Sequence, residues 1–271
     1  MKNLLSLVAI LSIVMVANSC KKDSEKDIEK ELYPSSDYQL SADGKVLEKW
    51  LNAETTSVDM QKDIKLRKVT TIGVEAFAHH SNINSVIISD KVTTISNRAF
   101  VFSGIREVFI PNSVINLAEK AFSNSNLASV TIPGSIKNIG KEAFGYSSLR
   151  NLVIGEGVTN IAESAFNNCR KLESVSLPNS LISIGDSAFF VCPNLPTISI
   201  PKNVTYLGSS VFFGCRSLNV INLEPINPPT MGSDHLFQDF TKRINVPASS
   251  VDIYKTHPKW SKYADRIMAQ P

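Results

Sequence analysis

The chain has 271 residues, 43% of them hydrophobic and 20% charged, with 28 Lys plus Arg against 25 Asp plus Glu. Charge this balanced supplies neither the basic stripe of a nucleic-acid binder nor an acidic tail. The four His are scattered and the four Cys stand singly, so no zinc-ligand spacing is present and no metal or cofactor is expected.

The first elements in chain order are processing signals. Residues 1–19 hold one Lys, an apolar stretch from Leu4 to Val16 and small residues before Cys20. That stretch is short for a membrane span and has the layout of a secretory signal peptide. Val16-Ala17-Asn18-Ser19-Cys20 resembles a bacterial lipobox, whose Cys is lipidated and becomes the new N-terminus. Acyl chains on Cys20 would hold the protein to a membrane without a transmembrane helix. Plain cleavage and release is the alternative. The run Lys21 to Asp27 resembles the surface-export signals of Bacteroidetes lipoproteins and would equally serve as a solvated tether. Outer-membrane anchoring facing the cell surface is the expected location, with a periplasm-facing solenoid as the alternative. Residues 20–40 are expected to be a flexible tether, and 41–68, with Trp50 and Val58-x-Met60, an irregular capping coil.

A period then takes over. Phe77, Phe100, Phe122, Phe144, Phe166, Phe189 and Phe212 recur at intervals of 22 or 23, six of them after Ala. Such a period describes stacked coils rather than a globule around one core. Seven coils fill 69–223, beginning at Val69, Val92, Val114, Ile136, Val158, Leu181 and Val204. Each reads V-x-x-I-small-x-x-A-F, then L-x-x-V-x-I, often closed by Pro. The alternation Val130-x-Ile132 places side chains on one face of a short strand, to be paired in parallel with its equivalents. The small position (Gly73, Ser96, Ala118, Gly140, Ala162, Gly185, Gly208) suits a close approach between coils. Pro111, Pro133, Pro178 and Pro201 mark strand ends, since Pro cannot donate to a ladder. The seven Phe rings should form a structural spine. Cys169, Cys192 and Cys215 each lie three residues after a Phe and should stack as buried thiols, with one inter-coil disulfide as the alternative.

Residues 224–271 read as a degenerate last repeat and cap. Leu236-Phe237 stands for Ala-Phe, and Ile244-x-Val246-Pro247 for a last strand. Ser249 or Ser250 can cap a short helix through Val251 and Tyr254. Trp260, Tyr263 and Ile267 fall at helical spacing and are expected to form a second helical face lying on the final coil.

The unit I-P-x-S-V-x-x-I-G-x-x-A-F-x-x-C-x-L-x-x-V and the ending VPASSVDIYKTHPKWSKYADRI resemble the BspA-like leucine-rich repeat family of bacterial surface proteins, over residues 69 to 267. The resemblance implies a β-rich leucine-rich repeat solenoid, a right-handed parallel β stack of 22–23-residue coils with a short C-terminal helical cap. It implies frequent occurrence in Bacteroidetes lipoproteins, roles as adhesins toward host or bacterial surfaces, and no catalytic centre.

Residues flanking the strand Val should face solvent, and they define a possible binding face: Ile87, Glu107, Phe109, Thr131, Asn151, Val153, Ser176 and Ser199. An apolar column rimmed by polar residues can bind protein, and its hydroxyls could contact a glycan. Equally, β-branched residues simply suit exposed strands. His79-His80 should diverge, and Gly155-Glu156-Gly157 is a coil turn rather than a phosphate loop. Glu142, Glu163 and Asp186 are expected as solvated turn residues. No nucleophile motif or Cys/His pairing appears, so the chain is expected to be non-enzymatic and monomeric. It should be a scaffold for an unidentified protein or glycan ligand, joined to the membrane through its lipid. An envelope accessory component is the alternative function, and a released antigen a third.

Overall fold

A computed structural model of the chain describes residues 30–233, 236 and 241–270. Residues 1–29, with the proposed signal peptide and Cys20, lie outside the described residues, as does Phe237. The compact unit spans Glu31–Pro271. It is a parallel β-solenoid of about nine turns with a short C-terminal helix, the fold class expected from the sequence.

Each coil contributes two strands and a turn. The first strand is two residues long in most coils (Thr71–Ile72, Thr94–Ile95, Asn138–Ile139) and pairs in parallel with the same strand of the next coil. With Val46–Trp50 and its antiparallel partner Tyr38–Leu40 at one end and Thr230–Met231 at the other, these strands make one continuous sheet. The buried member of each is an Ile, Leu or Met, while the preceding residue faces out. The second strand is longer, as in Ser129–Ile132 and Thr197–Ile200, and shows the expected alternation of exposed and buried residues. Pro111, Pro133, Pro178 and Pro201 follow these strands, and their carbonyls accept from Val114, Ile136, Leu181 and Val204 in tight turns of 3.1 Å bonds. Close stacking explains the small position. At Gly140 an added Cβ would stand 2.6 Å from the carbonyl oxygens of Leu117 and Ala118, so the coil has almost no room to spare there.

The Ala-Phe turn forms the third side. The Phe amide donates to the next coil's Ala carbonyl: Phe77 to Ala99, Phe100 to Ala121 and Phe122 to Ala143, each at 2.7 Å. The residues two before and two after the Phe donate forward in the same way, as Arg98 does to Glu119 and Phe102 to Ser123. Both flanking positions have left-handed backbone in every one of the seven coils, from Glu75 and His79 to Ser210 and Gly214. Left-handed backbone costs about 1–2 kcal/mol for a residue with a Cβ. Its recurrence makes it a property of the turn rather than a local defect.

The seven Phe rings are fully buried or nearly so and stacked face to face, with centroids 4.8–5.9 Å apart and interplanar angles of 5–11°. Trp50 extends the column: its ring lies 5.6 Å from Phe77, and its amide donates to Ala76 at 2.8 Å as a repeat Phe would. Tyr38 stacks on Trp50 and Tyr33 meets it edge-on.

The N-terminal cap therefore starts earlier than the expected boundary at 41. Tyr38–Leu40 pairs antiparallel with Val46–Trp50, and the buried Asp63 carboxylate accepts from the amides of Leu32, Tyr33, Lys65 and Leu66. Residues 31–40 are folded because two tyrosines from this segment cover the otherwise bare face of Trp50.

The other end also departs from expectation. The helix Val251–Thr256 is present, but Ser250 makes no side-chain capping bond. Trp260 and Tyr263 are buried beside it in 3-10 and turn structure. Ile267 does not continue a helical face. Ile267–Ala269 is a strand paired in parallel with Arg243–Val246, so the latter is not the last strand. Satisfying the open edge of Arg243–Val246 outweighs the weak helical spacing. Leu236 does take the Ala place, accepting from the Phe212 amide at 3.2 Å.

Two predictions follow from this stack. Phe144→Ala leaves a cavity in mid-column and should destabilise by about 3–5 kcal/mol, read as a lower urea midpoint. Val191 is a β-branched residue with φ of 55°. Val191→Asn should raise the midpoint by the equivalent of about 0.5–1 kcal/mol, because Asn tolerates left-handed backbone; a lowered midpoint would mean that packing outweighs strain.

Candidate binding face

The outward positions of the second strands form three separate ladders rather than one. Ser57–Asp59, Ser85–Ile87 and Glu107–Phe109 make the first; Ser129–Ile132, Asn151–Ile154 and Ser174–Ser176 the second; Thr197–Ile200 to Ile267–Ala269 the third. Register places Asp59, Ile87 and Phe109 side by side, then Thr131, Val153 and Ser176, then Ser199, Asn222 and Asn245. Ile87 and Phe109 are 41% and 44% exposed. Val153 is only half-buried and belongs to the second ladder, separated from Phe109 by Thr131. The structure thus joins Ile87 to Phe109 and leaves Val153 apart.

Much of the polar rim bonds internally. Ser174 donates to Asn151 at 2.7 Å, Asn222 to Ser199 at 3.2 Å and Asn245 to Asn222 at 2.7 Å. These bonds run between coils and align the strands, so the amides and hydroxyls of Asn151 and Ser199 are partly committed to the scaffold. Glu107, beside Ser85, and Thr131 and Ser176 remain exposed. The face therefore offers one apolar pair beside the carboxylates of Asp59 and Glu107, within a hydroxyl-rich surround.

Side chains with chemical potential elsewhere are engaged in the stack. His79 points out and stacks on Phe102 at 5.3 Å, while the His80 Nε2 bonds the Trp50 carbonyl at 2.8 Å, so the two diverge. Glu142 and Glu163 meet Lys120 and Lys141 of the preceding coils at 3.6 and 2.9 Å. Asp186 accepts from the Ser209 amide at 2.7 Å. Among the described residues no group of three or more His, Cys, Asp or Glu could hold a metal, and no helix is long and apolar enough to cross a membrane.

The thiols belong to a longer ladder. Three residues after each Phe stand His80, Ser103, Ser125, Ser147, Cys169, Cys192 and Cys215, and the serines are as buried as the cysteines. The three cysteines are free, and their thiols donate back to the carbonyls of Phe144, Phe166 and Phe189 at 3.3, 3.5 and 3.1 Å. Ser and Cys share the place as small buried side chains, but their bonds differ: Ser103 donates to its own coil's Phe100 carbonyl at 2.7 Å and Ser147 meets the Cys169 thiol at 3.3 Å. Burial pushes the Cys169 thiol up to about 11 and raises Cys192 well above its ordinary range, which suppresses the reactive thiolate.

The family pattern described as the BspA type leucine-rich repeat region matches in six copies, over residues 56–172 and 137–257. The chain belongs to this family. None of the curated proteins matches the chain. Among solved structures, a leucine-rich repeat protein from Bacteroides ovatus is 24% identical with a TM-score of 0.47, over 74% of this chain and 58% of that one. A leucine-rich cell surface protein from Faecalibacterium prausnitzii is 20% identical with a TM-score of 0.39, over 88% and 94%. The pneumococcal vaccine antigen PcpA is 17% identical with a TM-score of 0.35, over 84% and 92%. The chain thus spans little more than half the length of the Bacteroides ovatus protein.

Native protein should leave Cys169, Cys192 and Cys215 unmodified by a thiol-reactive dye at pH 8, with all three reacting on addition of urea. Rapid labelling of the native state would show that the ladder opens locally.

Proposed function

We propose that this protein is a non-enzymatic, lipid-anchored binding scaffold on the outer surface of the cell, with Ile87 and Phe109 at the centre of its contact with a partner protein. The exposed, adjacent Ile87 and Phe109 carry this reading. Ile87 and Phe109 lie outside the buried core and keep about two fifths of their surface exposed, and desolvating an aromatic with its neighbour is the usual source of interface affinity. The hydroxyl-rich surround supplies the polar rim such a contact needs. Cys20, at the end of the apolar leader, supplies the lipid attachment, and the residues following it the tether.

Two measurements test it. Labelled palmitate should enter the protein in the native bacterium and not in Cys20→Ala, and protease added to intact cells should remove the repeats. Labelling with full protection would place the solenoid in the periplasm and favour an envelope accessory role. The triple change Ile87→Ser, Phe109→Ser and Val153→Ser should lower adherence to host cells or co-resident bacteria about tenfold or more without moving the unfolding midpoint by more than a few degrees. Unchanged adherence would exclude this patch.

A further inference from the structure

The first coils carry a second surface feature, on a side distinct from the strand face. A groove of about 480 Å³ is lined by Lys45, Arg67, Lys68 and Lys91, with Asp90 as its one carboxylate and Thr70 among its polar groups. The cations come from successive turns. Val46–Trp50 pairs with Thr71–Ile72, which pairs with Thr94–Ile95, so Lys68 and Lys91 hold equivalent places one coil apart, a step of roughly 4.8 Å, while Lys45 stands beside them in register with Thr70. All three lysines are exposed. Lys91 lies 3.9 Å from Asp90, both largely exposed, a contact that neutralises little.

This arrangement is at odds with how the rest of the stack handles charge. Elsewhere opposite charges face each other between coils: Arg98 with Glu75, Lys141 with Glu163, Arg150 with Glu173. The later equivalents of Lys68 and Lys91 are uncharged: Ser113, Ser135, Gly157, Ser180 and Asn203. Like charges at neighbouring positions of a ladder destabilise it, so the fold gains nothing from confining lysines to its first coils. A ligand would gain.

We propose that this groove binds an acidic polysaccharide, laid along the solenoid axis with its carboxylate or sulfate groups against Lys45, Lys68 and Lys91. Point charges on flexible stems, spread over successive coils of one groove, suit a polymer that carries a charge on successive sugars. A single compact anion is better held by the rigid Arg fork or by clustered backbone amides. Single-stranded nucleic acid is bound through aromatic stacking platforms, and no aromatic residue lines the groove. A bilayer surface calls for an apolar wedge among the cations, and none of the lining residues is a large apolar one. Thr70 and Gln61 add the hydroxyl and amide groups that sugar hydroxyls pair with. This site stands or falls independently of the Ile87–Phe109 face.

The test is titration of the purified mature protein with heparin and with polygalacturonate, using dextran as the neutral control. Binding should weaken steeply with added salt, as displacement of counterions by about three lysines requires. The variant K45Q/K68Q/K91Q should lose roughly tenfold or more in affinity while unfolding at the same midpoint. K45R/K68R/K91R should retain binding, and the remote pair K171Q/K202Q should leave it unchanged. Absence of binding to both acidic polymers at low salt would overturn the proposal. So would equal loss in the remote variant, or tighter binding to single-stranded DNA or to vesicles containing phosphatidylglycerol.

Discussion

The solenoid depends on the contact that each Ala-Phe turn makes with the next. The Phe amide donates forward to a backbone carbonyl while its ring lies on the next ring, so one residue supplies both the directional and the non-directional part of the stacking energy. Aromatic pairs at these distances add about 0.5–1.5 kcal/mol beyond their buried area. Neither contribution exists within an isolated coil, which has nothing to donate to and nothing to stack on. Stability is therefore a sum over interfaces, and the two terminal interfaces need special pieces. Trp50 with Tyr33 and Tyr38 is one such piece; Tyr254 and Trp260, packed edge-to-face at 5.3 Å, belong to the other.

Strain and stacking increase together. Every added coil brings two left-handed residues and one more buried Phe, Ala and strand pair. The cost is of order 1 kcal/mol per strained residue, against a larger gain from fully burying a large aromatic. The turn can consequently tolerate Glu, Arg, Lys, Ser and even Phe or Val where glycine or asparagine would be easiest. Surface variation at these positions changes what the protein displays, as with Phe102 and Tyr146, while the backbone stays fixed.

Much of this was legible in the sequence, because the repeat averages out local ambiguity. The Phe interval located the spine, Val-x-Ile the strands and Pro their ends. The left-handed positions left only a faint signature: Asn124, Asn168 and Gly214 suit that conformation, but Glu75, Arg98, Phe102 and Val191 are residues that ordinarily avoid it. Trp50 was hidden as a spine member by its distance of more than one repeat from Phe77, and Tyr33 and Tyr38 by their position in a polar stretch. Ile267 sits at a spacing compatible with helix or strand, and only the open edge beside it decides between them. In the binding face, alternation correctly pointed Ile87 and Phe109 outward, but the same alternation runs through every coil and carries no mark of where one ladder stops and the next begins. The lysine groove is masked in the sequence by a nearly balanced whole-chain charge; its meaning comes from which coils the charges occupy.

The forward-donating turns also run against the rest of the coil. In six consecutive coils, three peptide groups of the turn point their N–H toward the C-terminal end and their C=O toward the N-terminal end. On the strand sides the amides donate back to the preceding coil, as Gly73 does to Leu47, Ser96 to Ile72 and Arg106 to Asn84. Peptide dipoles add only where they are aligned, so the turn edge and the strand edges oppose one another. Each end of the stack therefore presents carbonyls on one side and amides on another, and any redesign adding or removing repeats must supply a cap that satisfies both.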